Sequence, residues 1–159
     1  MGQTVEHDTI IIREKLEASA EEVFAAWEDP NARTVWGVPS DDEAIAFLEN
    51  DFRVGGLDVH QCGQNGDLRF RVETCYHDIR RPDLLLFTER VSTGDMLLSA
   101  SLITVTMNGE GSATELSVTV QVTSMVGSDM IEATRGGWQA SLMRLAGYLE
   151  RSHREQSGA

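Results

Sequence analysis

The chain has 159 residues, enough for one ordinary domain with a sizeable core and no need of disulfides or a structural metal. Its 13 Lys and Arg against 26 Asp and Glu leave a formal charge of −13, which speaks against a nucleic-acid backbone or an anionic membrane surface as partner. No apolar run approaches the ~20 residues of a bilayer crossing, and the opening MGQTVEHDTI has no basic segment followed by an apolar one, so the expected compartment is the cytoplasm.

The first predicted element is a strand, because TIIIREKLEAS clusters β-branched residues from Thr9 to Ile12. Ser19 and Glu22 then have the spacing of a capping box, and Val23, Phe24 and Trp27 recur at helical spacing. Asp29 caps a second short helix with Pro30 in its first position. From Glu43 the hydrophobic period changes to two, with punctuation at VGG, GQNG, RRPD, STGD and NGEGS. Six runs divided by hairpin signals predict an antiparallel meander.

If Asn65-Gly66 closes a two-residue hairpin, Leu57, Val59, Gln61, Leu68, Phe70, Val72, Thr74 and Tyr76 share a dry face. Asp58, His60, Arg69, Arg71, Glu73 and His77 then share the wet one. Leu85 and Phe87, then Ile103, Val105 and Met107, then Leu116, Val118, Val120 and Val122 continue the dry face. A sheet with one dry face needs a cover. The last helix, expected over about 128–151, supplies it with Met130 or Ile131, Thr134, Trp138, Leu142, Leu145 and Leu149 three or four apart. Gly136 and Gly137 interrupt this helix, each costing roughly 1 kcal/mol relative to alanine. They are expected at its closest approach to the sheet. The predicted division is one domain over 8–151 and a flexible polar tail over 152–159.

Strand, two short helices, six strands and a long C-terminal helix is the element order of the START-like (SRPBCC) helix-grip superfamily. DFRVGG (51–56), RRPDLLLFTE, ITVTMNGEGSATELSV (103–118) and GGWQASLMRLAGYLE (136–150) resemble the successive signatures of the family of homologues of the activator of heat-shock protein 90 ATPase. The resemblance spans roughly residues 8–150. It implies an α+β fold in which a curved seven-stranded antiparallel sheet grips the C-terminal helix around an internal cavity, often holding an apolar or amphipathic molecule. It implies no fixed chemistry, because the superfamily contains carriers, receptors, cyclases, dehydratases and co-chaperone domains. Between Pro39 and Leu57 this chain is shorter than the usual pattern.

HQC (60–62) and CYH (75–77) offer two Cys and two His, a set that can hold zinc. In the hairpin register above, Cys62 faces about Arg69 and Cys75 lies roughly six residues further on, about 20 Å at ~3.3 Å per residue. That is too far for a shared metal or for a disulfide, which needs Cα atoms within about 7 Å. Two reduced cysteines, no metal and no cofactor are therefore expected. No GxSxG, no supported Ser/His/Asp ordering and no phosphate-cradling loop is present. His7 and His153 sit in terminal segments, while His60 and His77 fall on the wet face.

Glu89, two and four residues after Phe87 and Leu85, is expected to point toward the covered face, where desolvation would raise its pKa. The alternatives are that strand twist carries it into solvent or that Arg53 and Arg90 neutralise it. Glu89 and Tyr76 are the only catalytic candidates, and no catalytic role is assigned to either. The expected cavity walls are Trp36, Tyr76, Phe87, Val105, Val122, Met130 and Trp138, with Glu89 and Ser101 as polar handles; Trp27 is expected to pack the short helices onto the sheet.

The first expectation is a non-catalytic protein that binds an apolar or amphipathic small molecule between sheet and helix. The alternatives are an enzyme using the same cavity for proton transfer, cyclisation or hydrolysis, and a co-chaperone acting on a heat-shock ATPase. Expected partners are the small molecule, with a second copy in a homodimer or the heat-shock ATPase as further candidates, and neither nucleic acid nor membrane.

Overall fold

In the computed structural model, which describes residues 4–157, the chain runs β1 (Glu6–Leu16), α1 (Ala20–Glu28), α2 (Pro30–Trp36), β2 (Glu43–Glu49), β3 (Leu57–Gln64), β4 (Asp67–Arg80), β5 (Leu84–Thr93), β6 (Met96–Glu110), β7 (Ala113–Ser124) and α3 (Ser128–Ser157). Both short helices start as expected. The Ser19 hydroxyl accepts from the Glu22 N–H while Glu22 accepts from the Ser19 N–H, and the Asp29 carboxylate accepts from the Asn31 N–H with Pro30 opening α2. The strands form one antiparallel sheet in the order β1-β7-β6-β5-β4-β3-β2. This is the helix-grip arrangement.

The sheet has two different halves. The β1–β7 and β6–β7 ladders run without interruption, whereas each ladder from β2 through β6 contains a register shift. Bulges bend a strand and increase its twist, so the bulged half from β2 to β5 is expected to be the more curled of the two. Helix α3 packs mainly on β1, β7, α1 and α2. Ile131, Leu142, Leu145 and Leu149 are buried there with Ile10, Val118, Val120, Val122 and Ile103.

The shift in the β3–β4 hairpin overturns the expected faces of β3. Gln64 pairs with Asp67 across Asn65-Gly66, but the next pair is Cys62 with Phe70, so Leu68 and Arg69 together oppose Gly63. One extra residue exchanges the two faces of everything beyond it. Asp58, His60 and Cys62 therefore join Phe70, Val72 and Thr74 on the inner face, while Leu57 and Gln61 turn outward. Glycine is what allows this. Gly63 has φ 144°, and a Cβ there would lie 2.7 Å from the Asp67 carbonyl oxygen and 3.3 Å from the Arg69 nitrogen.

Two expectations for α3 also fail. A Cβ at Gly136 or Gly137 would meet nothing within 4 Å, so neither glycine marks a close approach to the sheet. Gly136 faces solvent, and Gly137 borders a pocket that is partly open to solvent. The helix also continues to Ser157 instead of giving way to a flexible tail after 151. Arg151, Arg154, Glu155 and Gln156 are good helix formers, and His153 contacts Glu22 of α1. The last two tail residues, 158 and 159, lie outside the described residues.

Two alanine substitutions check these assignments by urea denaturation. Gly63→Ala should destabilise by about 1–3 kcal/mol, through an unfavourable φ and a backbone clash. Gly136→Ala, in helical backbone with free space around its Cβ, should stabilise by about 0.5–1 kcal/mol. A neutral Gly63→Ala would contradict the bulge, and a destabilising Gly136→Ala would restore a packing role for that glycine.

Candidate functional site

Between the curled half of the sheet, α2 and the first half of α3 lies a cavity of about 340 Å³. The helix stands off here because of what it carries. Its residues on the cavity are Met130, Ala133, Thr134, Gly137, Trp138 and Ser141, four of them small, whereas the next turns insert Leu142, Leu145 and Leu149 into the core. Gly137 thus opens space rather than closing it. Trp27 stacks on Trp138 with ring centroids 6.3 Å apart and meets Trp36 edge-on at 4.8 Å, so three tryptophans close one side. Ile45 and Phe47 of β2 contribute to the lining despite the shortened segment that precedes β3.

Of the expected lining, Trp36, Tyr76, Phe87, Glu89, Met130 and Trp138 border the cavity, and Trp27 does as well. Ser101, Val105 and Val122 do not. Val105 and Val122 belong to the uninterrupted half of the sheet and are fully buried in the core. Ser101 is buried beside Glu89 in register without reaching the cavity.

The floor carries a polar stripe across four strands. Ser101 pairs with Glu89, Glu89 with Thr74 and Thr74 with Asp58, so these side chains stand in one row on the inner face. The row on one side is Ile103, Phe87 and Tyr76; on the other, Val91 and Val72 lie between Ser99 and His60.

The two carboxylates of this stripe differ in their partners. Asp58 is completely buried and accepts from Arg33 Nη1 at 3.0 Å, Asn50 Nδ2 at 3.0 Å, the Asp51 N–H at 2.9 Å and the Tyr76 hydroxyl. Arg33 comes from α2, three residues before Trp36 and hence on the same helix face. It also donates to the Tyr76 hydroxyl at 3.2 Å and lies 4.5 Å over the Phe47 ring. Burial raises the Tyr76 hydroxyl above the ordinary tyrosine value against the pull of Arg33, so it stays a donor to Asp58.

No side chain among the described residues hydrogen-bonds Glu89. The expected neutralisers are occupied elsewhere, Arg90 with Glu73 at 3.1 Å and Arg53 with Asp51 at 2.9 Å. Glu89 is half-buried, bordering the cavity, and burial pushes its pKa up to about 7 against the attraction of Arg33. On β3, two strands away and in the next row, burial pushes His60 down to about 4, helped by Arg33 and opposed by Asp58. Its Nδ1 is buried without a partner among the described residues. Burial, then Glu89 and Glu43, push the Cys62 thiol up to about 11, which keeps it unreactive near neutrality. Cys75 pairs with Leu57, an odd number of residues along β4 from the partner of Cys62, so the two free thiols face opposite ways.

Arg33, Asp58, His60 and Cys62 are the residues that sequence reasoning missed or misplaced. Their signals were a lone glycine at the end of a strand pattern, which marks bulges, and the three-residue spacing of Arg33 from Trp36.

A model of the family described as Activator of Hsp90 ATPase homolog 1-like protein matches residues 17–150. Among solved structures, a protein from Rhizobium leguminosarum is similar at 28% identity and TM-score 0.81, covering 93% of this chain and 97% of its own. A protein from Rhizobium loti is 31% identical with TM-score 0.71, covering 89% and 99%. An AHSA1-like protein from Aeromonas hydrophila shares the fold at 23% identity and TM-score 0.73, covering 92% and 94%. No curated protein matches the sequence.

The charges on the floor predict a definite pH response. Glu89 holds its proton more tightly folded than unfolded, so its contribution to stability falls as pH rises from 4.5 to about 7. His60 works the other way, its contribution rising with pH from about 4 to 6.5. Glu89→Gln removes the first effect and leaves the second. The unfolding free energy of the wild type minus that of the variant should therefore drop by on the order of 2 kcal/mol across that window. A difference that stays flat with pH would mean that Glu89 is solvated.

Proposed function

The chain belongs to the Activator of Hsp90 ATPase homolog 1-like family, and on that footing we propose that it binds an apolar or amphipathic small molecule between the curled half of the sheet and α3. The cavity carries this reading. Its volume of about 340 Å³ falls within the ~300–1,000 Å³ of small-molecule sites, and its lining is mostly apolar and aromatic with a few polar groups. The lining residues Trp27, Trp36, Phe87, Glu89, Met130 and Trp138 are the proposed ligand contacts. Tyr76 borders the same space, but its hydroxyl is committed to Asp58 and Arg33 and serves to hold the floor. The same commitment weighs against an enzyme built on Glu89 and Tyr76, because only Glu89 is left to move a proton. No helix among the described residues is long and apolar enough to cross a membrane.

The neutral probe N-phenyl-1-naphthylamine should bind with one-to-one stoichiometry, its emission shifting to the blue while tryptophan emission is quenched. Gly137→Leu places a side chain in the open space and should abolish this binding without lowering the urea midpoint. Undiminished binding by that variant, or no binding by the wild type, would overturn the proposal.

A further inference from the structure

We propose that the ligand is a hydrophobic amine, taken up as its ammonium ion, with Glu89 as counter-charge and the tryptophans and Phe87 as the enclosing walls. The proposal rests on the cavity being a binding site and specifies what it selects. Its starting point is the inequality between the two carboxylates on the floor. Asp58 has four donors, including the one guanidinium on the lining, and has nothing left to offer. Glu89 sits in the same row without a side-chain hydrogen bond or an ion pair among the described residues.

Arg33 attracts Glu89 but is hydrogen-bonded to Asp58 and Tyr76, and no other Arg or Lys lines the pocket among the described residues. From α2 comes Arg33, paired with Asp58; from β3 come Asp58 itself, His60 and Cys62; from β4 comes Tyr76; and from β2 Glu43 adds a further negative charge near Cys62. His60 is neutral near pH 7. The roof of α3 brings Met130, Ala133, Thr134, Gly137, Trp138 and Ser141, none of which titrates. A negative site bounded by aromatic faces favours an organic cation twice, through the carboxylate and through the ring quadrupoles. An anionic ligand would instead place its charge beside Glu89.

Empty, Glu89 is largely protonated at mildly acidic pH; binding an ammonium ion ionises it and releases its proton. Amine affinity should therefore rise from pH 6 to pH 8, and the binding enthalpy at pH 6 should vary with the ionisation enthalpy of the buffer.

Calorimetric titration with a naphthylethylamine, the matching naphthylethanol and the matching naphthylacetic acid tests the idea, with N-phenyl-1-naphthylamine as the neutral reference. The amine should bind at least about tenfold more tightly than the alcohol, and the acid most weakly. Glu89→Gln should erase both the preference and the proton release, bringing amine and alcohol within about twofold of each other. Equal affinities for amine and alcohol, a preference for the acid, or an amine preference surviving in Glu89→Gln would overturn the amine proposal while the reference probe still bound. Failure of every compound, the reference included, would overturn the binding site itself.

Discussion

The site depends on one backbone constraint, the bulge opposite Gly63. Without the second residue facing that glycine, Asp58 would point to the outside of the sheet, and Arg33 would be a buried guanidinium with no carboxylate to meet it. Breaking such a pair typically costs 3–5 kcal/mol. The Tyr76 hydroxyl would lose its acceptor at the same time. The position is intolerant because two requirements coincide there: a φ of 144° and the absence of room for a Cβ. A single glycine thus decides which chemistry faces inward along the whole of β3.

The rest of the architecture divides labour between the halves of the sheet. Unbroken ladders carry β1, β7 and β6, and the leucines of α3 close the core over them. Beyond β6 the bulged strands curve away, and the helix answers with small residues rather than large ones. The cavity is therefore a consequence of two local choices that agree, bulges below and Ala133, Thr134, Gly137 and Ser141 above. Stability comes chiefly from the filled half and the open space from the other, which leaves Glu89 free to hold an unfavourable charge that a packed core could not accommodate.

Much of the fold was legible because it is written in local signals. The capping box at Ser19 and Glu22, Pro30 after Asp29, and the alternation of β4 to β7 each reflect the chemistry of a few neighbouring residues, and each led to the right element. The inward position of Glu89 followed from counting two and four residues from Phe87 and Leu85. What failed was non-local or depended on a single residue. Counting from Asn65-Gly66 assumed an uninterrupted ladder, and the extra residue in β4 sent His60 to the wrong face. Gly136 and Gly137 were assigned to close packing because glycine in a helix needs a reason. The reason at Gly137 is the cavity beside it, and nothing in the structure explains Gly136. Val105 and Val122 were right as core and wrong as walls, since periodicity says which face is buried but not where the helix stands off from it.

A small molecule held between the curled strands and the small-residue face of α3, as proposed, would lie against a definite set of protons. Intermolecular nuclear Overhauser effects from bound N-phenyl-1-naphthylamine test it most directly. Contacts are expected to the methyl groups of Ile45, Val72, Val91 and Met130 and to the ring protons of Trp138, all from one bound molecule. Contacts to exposed Leu48, Met96 or Met143 in their place would put the probe on the outer surface and contradict it.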